Sequence, residues 1–341
     1  MSQTSKSPQK VALAALAVAK DALAPYTHRF SPKKFTQHQL FACLVLKGFF
    51  RTDYRGIAEI LRDMPDLRQL LGISTVPHFT TLHKAAQRLL RKAPSNRLLE
   101  ETIRQCLRTG ENRPRIPLAA LDSSGFEAHH VSRYFVERRA KGLKGPLSTT
   151  FRSYPKLGVL CDCASHVILA AVPDRAPRHD INHLEPALRQ AHGRTVLETV
   201  LADAAYDAEW VHQWARADLG VRTIIAPLRG HPTDRPATGH YRRLMQETIH
   251  LTPYGQRWQV ETVMSMIKRR LGSAVGAYSY WSQCRAMTLK ALTHNILILL
   301  RQSKGFLQSR KPQIPNHPRD GRHIETRLTT NIGPNDRALL C

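Results

Sequence analysis

Acidic side chains are scarce in this chain. Its 341 residues hold 26 Asp and Glu against 51 Lys and Arg, a formal charge of +25. So few carboxylates cannot neutralise the cations internally, which points to a polyanionic partner. Cysteine is also sparse: Cys43, Cys106, Cys161, Cys163, Cys284 and Cys341 show no framework spacing. That excludes a small disulfide-stapled scaffold and favours a reducing compartment. Long apolar runs are missing: a candidate such as Ile296 to Leu300 is far too short, since a membrane span needs about 18 apolar residues. Glycine (18) and proline (21) are too few for a fibrous or low-complexity chain, and 42% hydrophobic residues suffice for a sizeable core. The stretch Val11 to Ala19 follows Lys6 and Lys10 and imitates a signal peptide. It is mostly alanine, however, and Lys20–Asp21 close it, so it reads as a surface helix of a cytoplasmic protein.

The positive charge is spread along the chain. Residues 1–110 carry 18 basic and 7 acidic groups, residues 111–300 carry 25 and 16, and residues 301–341 carry 8 and 3. A solvated face explains a local cluster such as Arg138–Arg139–Lys141, but not a surplus in three segments of different texture. Nucleic acid is the favoured partner, because its phosphates release counterions when Lys and Arg replace them; an acidic membrane surface ranks second.

Three regions follow from the patterning. Residues 1–112 read as helical, with apolar residues at three- and four-residue spacing over Gln37–Phe50, Tyr54–Arg62, Thr80–Arg91 and Asn96–Arg108. The segment Thr80–Arg88, entered through Pro77, is a candidate recognition helix of a helix-turn-helix, presenting Lys84, Gln87 and Arg88 to DNA. A packing helix with a wet face explains it equally well. Residues 113–301 change to α/β texture: strands at Ile116–Asp122, Lys156–Cys163, His166–Pro173, Val196–Ala202 and Val221–Ala226, and helices at His179–Ala191, Asp207–Asp218, Pro253–Leu271 and Trp281–Leu300. The order predicts an α/β layer fold with a mixed sheet. Residues 302–341 form a basic tail, rich in Pro, Asn and Arg, without periodicity.

Two acids, Asp122 and Asp203, close apolar strands, where ligands gather in open α/β sheets. Turn chemistry accounts for such acids as readily, and Asp207 is expected to cap the helix after it. A third acid, Glu261, sits in a helix predicted to open with Thr252 as cap and Pro253 in its first turn. At about 100° per residue, Tyr254, Arg257, Glu261 and Lys268 share an arc of roughly 60°. Val260, Val263, Met264, Ile267 and Leu271 make the adjoining apolar stripe. A single acid flanked by two bases and a phenol would then face the strand ends.

These residues carry a resemblance. Tyr254, Arg257, Glu261 and Lys268 match the Y-x2-R-x3-E-x6-K signature of bacterial insertion-sequence transposases of the DDE class. Leu121–Asp122–Ser123–Ser124–Gly125 resembles the strand with that family's first Asp, and Asp203–Ala204–Ala205–Tyr206–Asp207 the D-x-x-Y-D around its second. Tyr154–Pro155–Lys156–Leu157 and Arg178–His179–Asp180 are similar to weaker landmarks. The resemblance implies a ribonuclease H-like mixed sheet with flanking helices, preceded by an all-α DNA-binding region. It implies that Asp122, Asp203 and Glu261 bind two Mg2+ ions, with Mn2+ as a substitute, for in-line displacement at phosphorus. Tyr254, Arg257 and Lys268 would contact transposon-end DNA, with Lys84 and Arg88 as further contacts. Terminal inverted repeats and target DNA are the implied partners, bound by a homodimer in the nucleoid. The 57 residues between Asp203 and Glu261 leave no room for the β-rich insertion of some relatives. A catalytically inactive DNA-binding descendant is the rival function.

A zinc site is the main competing chemistry, from Cys161, Cys163 and His166, or from His179 and His183 four apart on a helix. No paired CxxC supports it, so these read as core thiols and surface imidazoles. Trp258 and Trp281 read as packing aromatics.

Overall fold

The computed structural model describes residues 5–107, 114–128, 154–228 and 237–302. The cluster Arg138–Arg139–Lys141 and the tail beyond Gln302 lie outside them. The chain opens with α1 (Pro8–Ala22), whose cap Ser7 accepts a hydrogen bond from the Lys10 amide. Val11, Ala12, Ala14, Ala15, Val18 and Ala19 are all fully buried, so the expected surface helix is a core helix. Alanine explains the difference: small side chains give a weak hydropathy signal yet let α2 (Gln37–Phe49) and α6 (Lys92–Leu107) pack closely around α1. A reciprocal capping box between Thr36 and Gln39 starts α2. Asp53 caps α3 (Tyr54–Asp63), accepting from the Gly56 amide at 2.7 Å. Pro65, read only as a break, also begins a short α4 (Pro65–Leu71), which ends at Gly72 with φ of 65°. Then comes α5 (Phe79–Leu89).

The second part is the predicted mixed sheet. Its strands are β1 (Arg115–Gly125), β3 (Pro155–Asp162), β4 (Ile168–Arg175), β5 (Val196–Ala202) and β6 (Arg222–Ile225), in the order β4-β3-β1-β5-β6. Strands β1, β5 and β6 run parallel, whereas β3 and β4 form an antiparallel hairpin beside β1. A small parallel pair joins β2 (Glu127–Ala128) to β7 (Ala274–Val275). The helices are α7 (Leu184–His192), α8 (Glu209–Leu219), α9 (His240–Thr248), α10 (Trp258–Leu271) and α11 (Tyr280–Gln302). Sequence patterning did not anticipate α9.

Strand parity assigns each face. Ala119, Leu121, Leu160, Val200 and Ala202 pack in one cluster with α7 and the N-terminal helices. Ala120, Leu157, Val159 and Leu201 pack in the other, with Val260, Val263, Met264 and Ile267 of α10. Alternation therefore sends Asp122 and Ser124 to the α10 face and Ser123 to the α7 face.

The N-terminal helices share the first of these cores. Asn295 of α11 donates to Thr102 Oγ1 at 3.0 Å and to the Ile168 carbonyl at 2.9 Å, and accepts from the Ile168 amide at 2.8 Å. Arg51, with φ of 54°, donates Nε to the Arg270 carbonyl at 2.8 Å and Nη2 to the Arg269 carbonyl. It thus caps the C-terminal end of α10 from the helical region.

Candidate active site at the strand ends

Asp122 lies on β1 opposite Val159, and its Oδ1 accepts from the Ser123 amide at 2.7 Å. Asp203 follows the last residue of the parallel neighbour β5. It accepts from the Ala205 amide at 3.0 Å and so caps a single turn, Ala204–Tyr206. Turn chemistry and site position coincide in this residue. Burial pushes the Asp122 carboxyl up to about 6, and the Asp203 charge adds to this, while the Ser123 amide and Arg257 oppose it.

The third acid arrives on α10. The expected continuous helix from Pro253 is instead a tighter 3-10 turn, Pro253–Arg257, followed by α10 from Trp258. Thr252 does not cap it through its side chain; its Oγ1 donates to the Ile249 carbonyl at 2.6 Å. The stripe survives this change of pitch at Arg257, Glu261 and Lys268. Arg257 donates Nη2 to Glu261 Oε1, and its Nη1 stands 3.9 Å from Asp122 Oδ2. One guanidinium therefore bridges acids from the sheet and the helix, with Glu261 half exposed. Lys268 donates to Ser124 Oγ at 2.7 Å and lies over the Phe126 ring at 5.5 Å. The phenol of Tyr254 is raised by burial, and the charges of Arg257, Asp203 and Asp122 all act on it.

Among the described residues no three His, Cys, Asp or Glu side chains converge as a finished metal cage. The donor set nevertheless fits a hard divalent cation. Asp122 and Asp203 supply carboxylate oxygens, and burial, with the Asp203 charge adding to it, raises the Asp122 carboxyl. Glu261 is paired with Arg257, whose other nitrogen faces Asp122.

Four residues behind the opposite face of β1 carry more than their weak sequence signal suggested. Ser123 Oγ donates to Asp180 Oδ1 at 2.6 Å, and Lys156 of β3 forms an ion pair with the same oxygen. Although burial works against it, the Lys156 and Ser123 hydrogen bonds hold the Asp180 carboxyl below its ordinary range. Tyr206, fully buried, has its phenol pushed up by burial and by the Asp122 and Asp180 charges. The available clue was an Asp shortly before an apolar helix, on a motif noted only as a landmark.

Other expectations need correction. Asp207 does not cap α8, whose cap residue is Ala208; it is buried, pairs with Arg242 at 2.7 Å and accepts from the Leu228 amide at 2.8 Å. Its neighbour Glu209 accepts from the Tyr241 and Arg242 amides, each at 3.1 Å, at the start of α9. His179 and His183 do not share an α-helix: Asp180–His183 is a 3-10 turn preceding α7. His183 is buried beside Asp174 at 3.3 Å, not a surface imidazole. Cys161 and Cys163 are buried thiols raised by desolvation, Cys163 to about 12. His166 instead bonds Gln259 Oε1 at 2.6 Å. Trp258 and Trp281 are 52% and 69% exposed, so neither is a buried packing aromatic.

Lys84 and Arg88 lie on α5, which packs on α2 and α3, and do not join the carboxylates. Lys84 and Gln87 are exposed. Arg88 is half-buried beside a cavity of about 320 Å³ lined also by Tyr26, Lys34 and Phe35.

A mixed sheet with one acid on β1 just past its parallel pairing with β5 and a second directly after β5, overlain by a helix bearing a third, defines a ribonuclease H-like fold. Residues 113–296, more than half of the chain, match the family described as Transposase DDE domain, and the chain belongs to that family. No curated protein matches it. Membership implies a transposase with nuclease chemistry on DNA, and domains of this kind generally use divalent metals. No described helix is long and apolar enough to cross a membrane.

Proposed function

We propose that the protein binds the terminal inverted repeats of its own insertion sequence and catalyses strand cleavage and strand transfer at Asp122, Asp203 and Glu261. The observation that carries this reading is the bridge from Asp122 through Arg257 to Glu261, beside the charge-coupled Asp203. A protein that only binds DNA gains nothing from carboxylates gathered where phosphates must approach.

The three acids would hold Mg2+, with Mn2+ as a substitute, which supplies activation of the attacking oxygen and stabilisation of the leaving one. Arg257 keeps Asp122 and Glu261 from repelling each other before DNA arrives. Once a phosphate enters, the same guanidinium can exchange a carboxylate for phosphate oxygens, which it matches in geometry. Lys268 adds a second phosphate contact, and Tyr254 stacks or hydrogen-bonds at the strand. Lys84 and Arg88 of α5 bind duplex DNA away from the cut, and two copies act together on paired ends in the nucleoid.

The test uses DNA carrying the ends that flank the gene. Asp122→Asn, Asp203→Asn and Glu261→Gln should each abolish divalent-dependent cleavage and leave end binding in place. Wild-type cleavage by any of the three removes that residue from the chemistry, and by all three ends the proposal.

A further inference from the structure

The DSSG segment has two serines that the proposed chemistry does not use, and both are clamped. On the α10 face Ser124 receives Lys268. On the α7 face Ser123 donates to Asp180 at 2.6 Å, and Asp180 is held by Lys156, which stands opposite Gly125 in the β1–β3 register. The same Ser123 gives its amide to Asp122 Oδ1 at 2.7 Å. The turn carrying Asp180 is itself pressed onto the sheet: a Cβ at Gly158 would fall 2.9 Å from the His183 Cβ. Lys156 and Asp180 are largely sheltered from water, at 12% and 27% side-chain exposure. Three short motifs from distant parts of the chain thereby meet behind a single carboxylate.

We propose that Asp180 is a positioning residue for Asp122: charged and fixed by Lys156, it orients Ser123, whose amide sets the Asp122 carboxylate. This inference rests on the transposase reading of the site and adds a residue to it. The physical need is clear. Asp122 lies past the β1–β5 pairing, which ends at Ala120, and feels the Asp203 charge; without a tether its side chain can rotate away from Asp203. A hydrogen bond to an ionised acceptor is shorter and stronger than a neutral one, so Asp180 holds Ser123 more firmly than a neutral acceptor would. Its role passes through Ser123 and does not require Asp180 to touch DNA or metal.

The experiment compares the full chain with Ser123→Ala, Ser123→Thr, Asp180→Asn and Asp122→Asn. Each is measured for binding of Mn2+ alone by calorimetry, for end-DNA affinity, and for the Mg2+ dependence of cleavage. Ser123→Ala and Asp180→Asn should each weaken Mn2+ binding or slow cleavage by about 10- to 100-fold, the range for residues that orient metal ligands. End affinity should stay within about twofold of wild type, well below the loss on removing a direct contact. Ser123→Thr, which keeps the hydroxyl, should restore most of the loss. Wild-type Mn2+ binding and cleavage in both variants, with Asp122→Asn inactive, overturns the inference and leaves the transposase reading standing. Loss of Mn2+ binding in Asp180→Asn with none in Ser123→Ala also overturns it, by making Asp180 a ligand. Wild-type cleavage by Asp122→Asn removes the reading beneath both. Should Asp180→Asn fail to fold, the two serine variants decide the matter.

Discussion

Arg257 and Glu261 are joined one helical turn apart, and the far side of the same guanidinium lies 3.9 Å from Asp122. A cation thus stands among the acids that the proposed chemistry needs free. Arg257→Gln should lose both its electrostatic support of the acids and a phosphate contact. The expected result is cleavage slowed by about 100-fold, the scale for a charge-stabilising donor, with a salt slope of end binding smaller by about one. Single-turnover cleavage and binding titrations at several salt concentrations measure the two effects. Cleavage equal to wild type would remove Arg257 from the site.

Lys268 is tied to Ser124 and to the Phe126 ring, so its charge is fixed in place before DNA binds. Lys268→Ala should weaken end binding at low salt and reduce the salt slope by about one. An unchanged slope in filter-binding or fluorescence titrations shows that Lys268 does not meet a phosphate.

His294 is buried on α11, where its Nε2 lies 3.0 Å from the His166 carbonyl. Burial, with Arg270 adding to it and the carbonyl opposing, pushes its imidazole down from 6.5 to about 4. Below about pH 6.5 the unfolded chain takes up a proton that the folded one refuses, so stability is complete above that value and falls as pH drops toward about 4. His294→Gln keeps a donor for the carbonyl and does not titrate. Between about pH 7 and about pH 5 it should lose less stability than wild type, by an amount on the order of 2 kcal/mol. Urea unfolding at the two pH values gives the difference. His183 and His212, also lowered by burial, contribute equally to both proteins, and identical acid loss would show that His294 titrates normally.

Asn295 satisfies both backbone groups of Ile168 and reaches Thr102 across the boundary between helical region and sheet. Asn295→Ala leaves those buried groups without partners and should cost about 2 to 4 kcal/mol, one to three per unsatisfied group with partial relaxation. Thermal unfolding would register this as one cooperative transition at lower temperature. Two separated transitions would mean that the helices and the sheet do not share a core.

Much of this molecule was legible in its residues. Strand β5 was predicted to the residue, because Val196–Ala202 is rich in Val and Leu and bounded by polar turns. The acids Asp122 and Asp203 were legible because each follows an apolar run that stops abruptly; Asp203 directly follows β5, whereas β1 runs on past Asp122 to Gly125. Errors came where the signal was local and the decision was not. Alanine-rich α1 was misread because hydropathy cannot tell a small buried side chain from a weakly apolar exposed one. The 3-10 turn at Pro253–Arg257 was missed because helix pitch at an end depends on what the turn packs against.

The sequence by itself determined the mixed α/β order, the basic surplus and the spacing of Tyr254, Arg257, Glu261 and Lys268, since each depends on composition or on neighbours along the chain. Only the tertiary structure decided that Arg257 bridges Asp122 and Glu261, that Arg51 caps α10, and that Lys156, Asp180 and Ser123 meet behind Asp122. Except for Arg257 and Glu261, those partners lie far apart in sequence. They meet because strand parity and the packing of both sheet faces leave each side chain one direction in which to point.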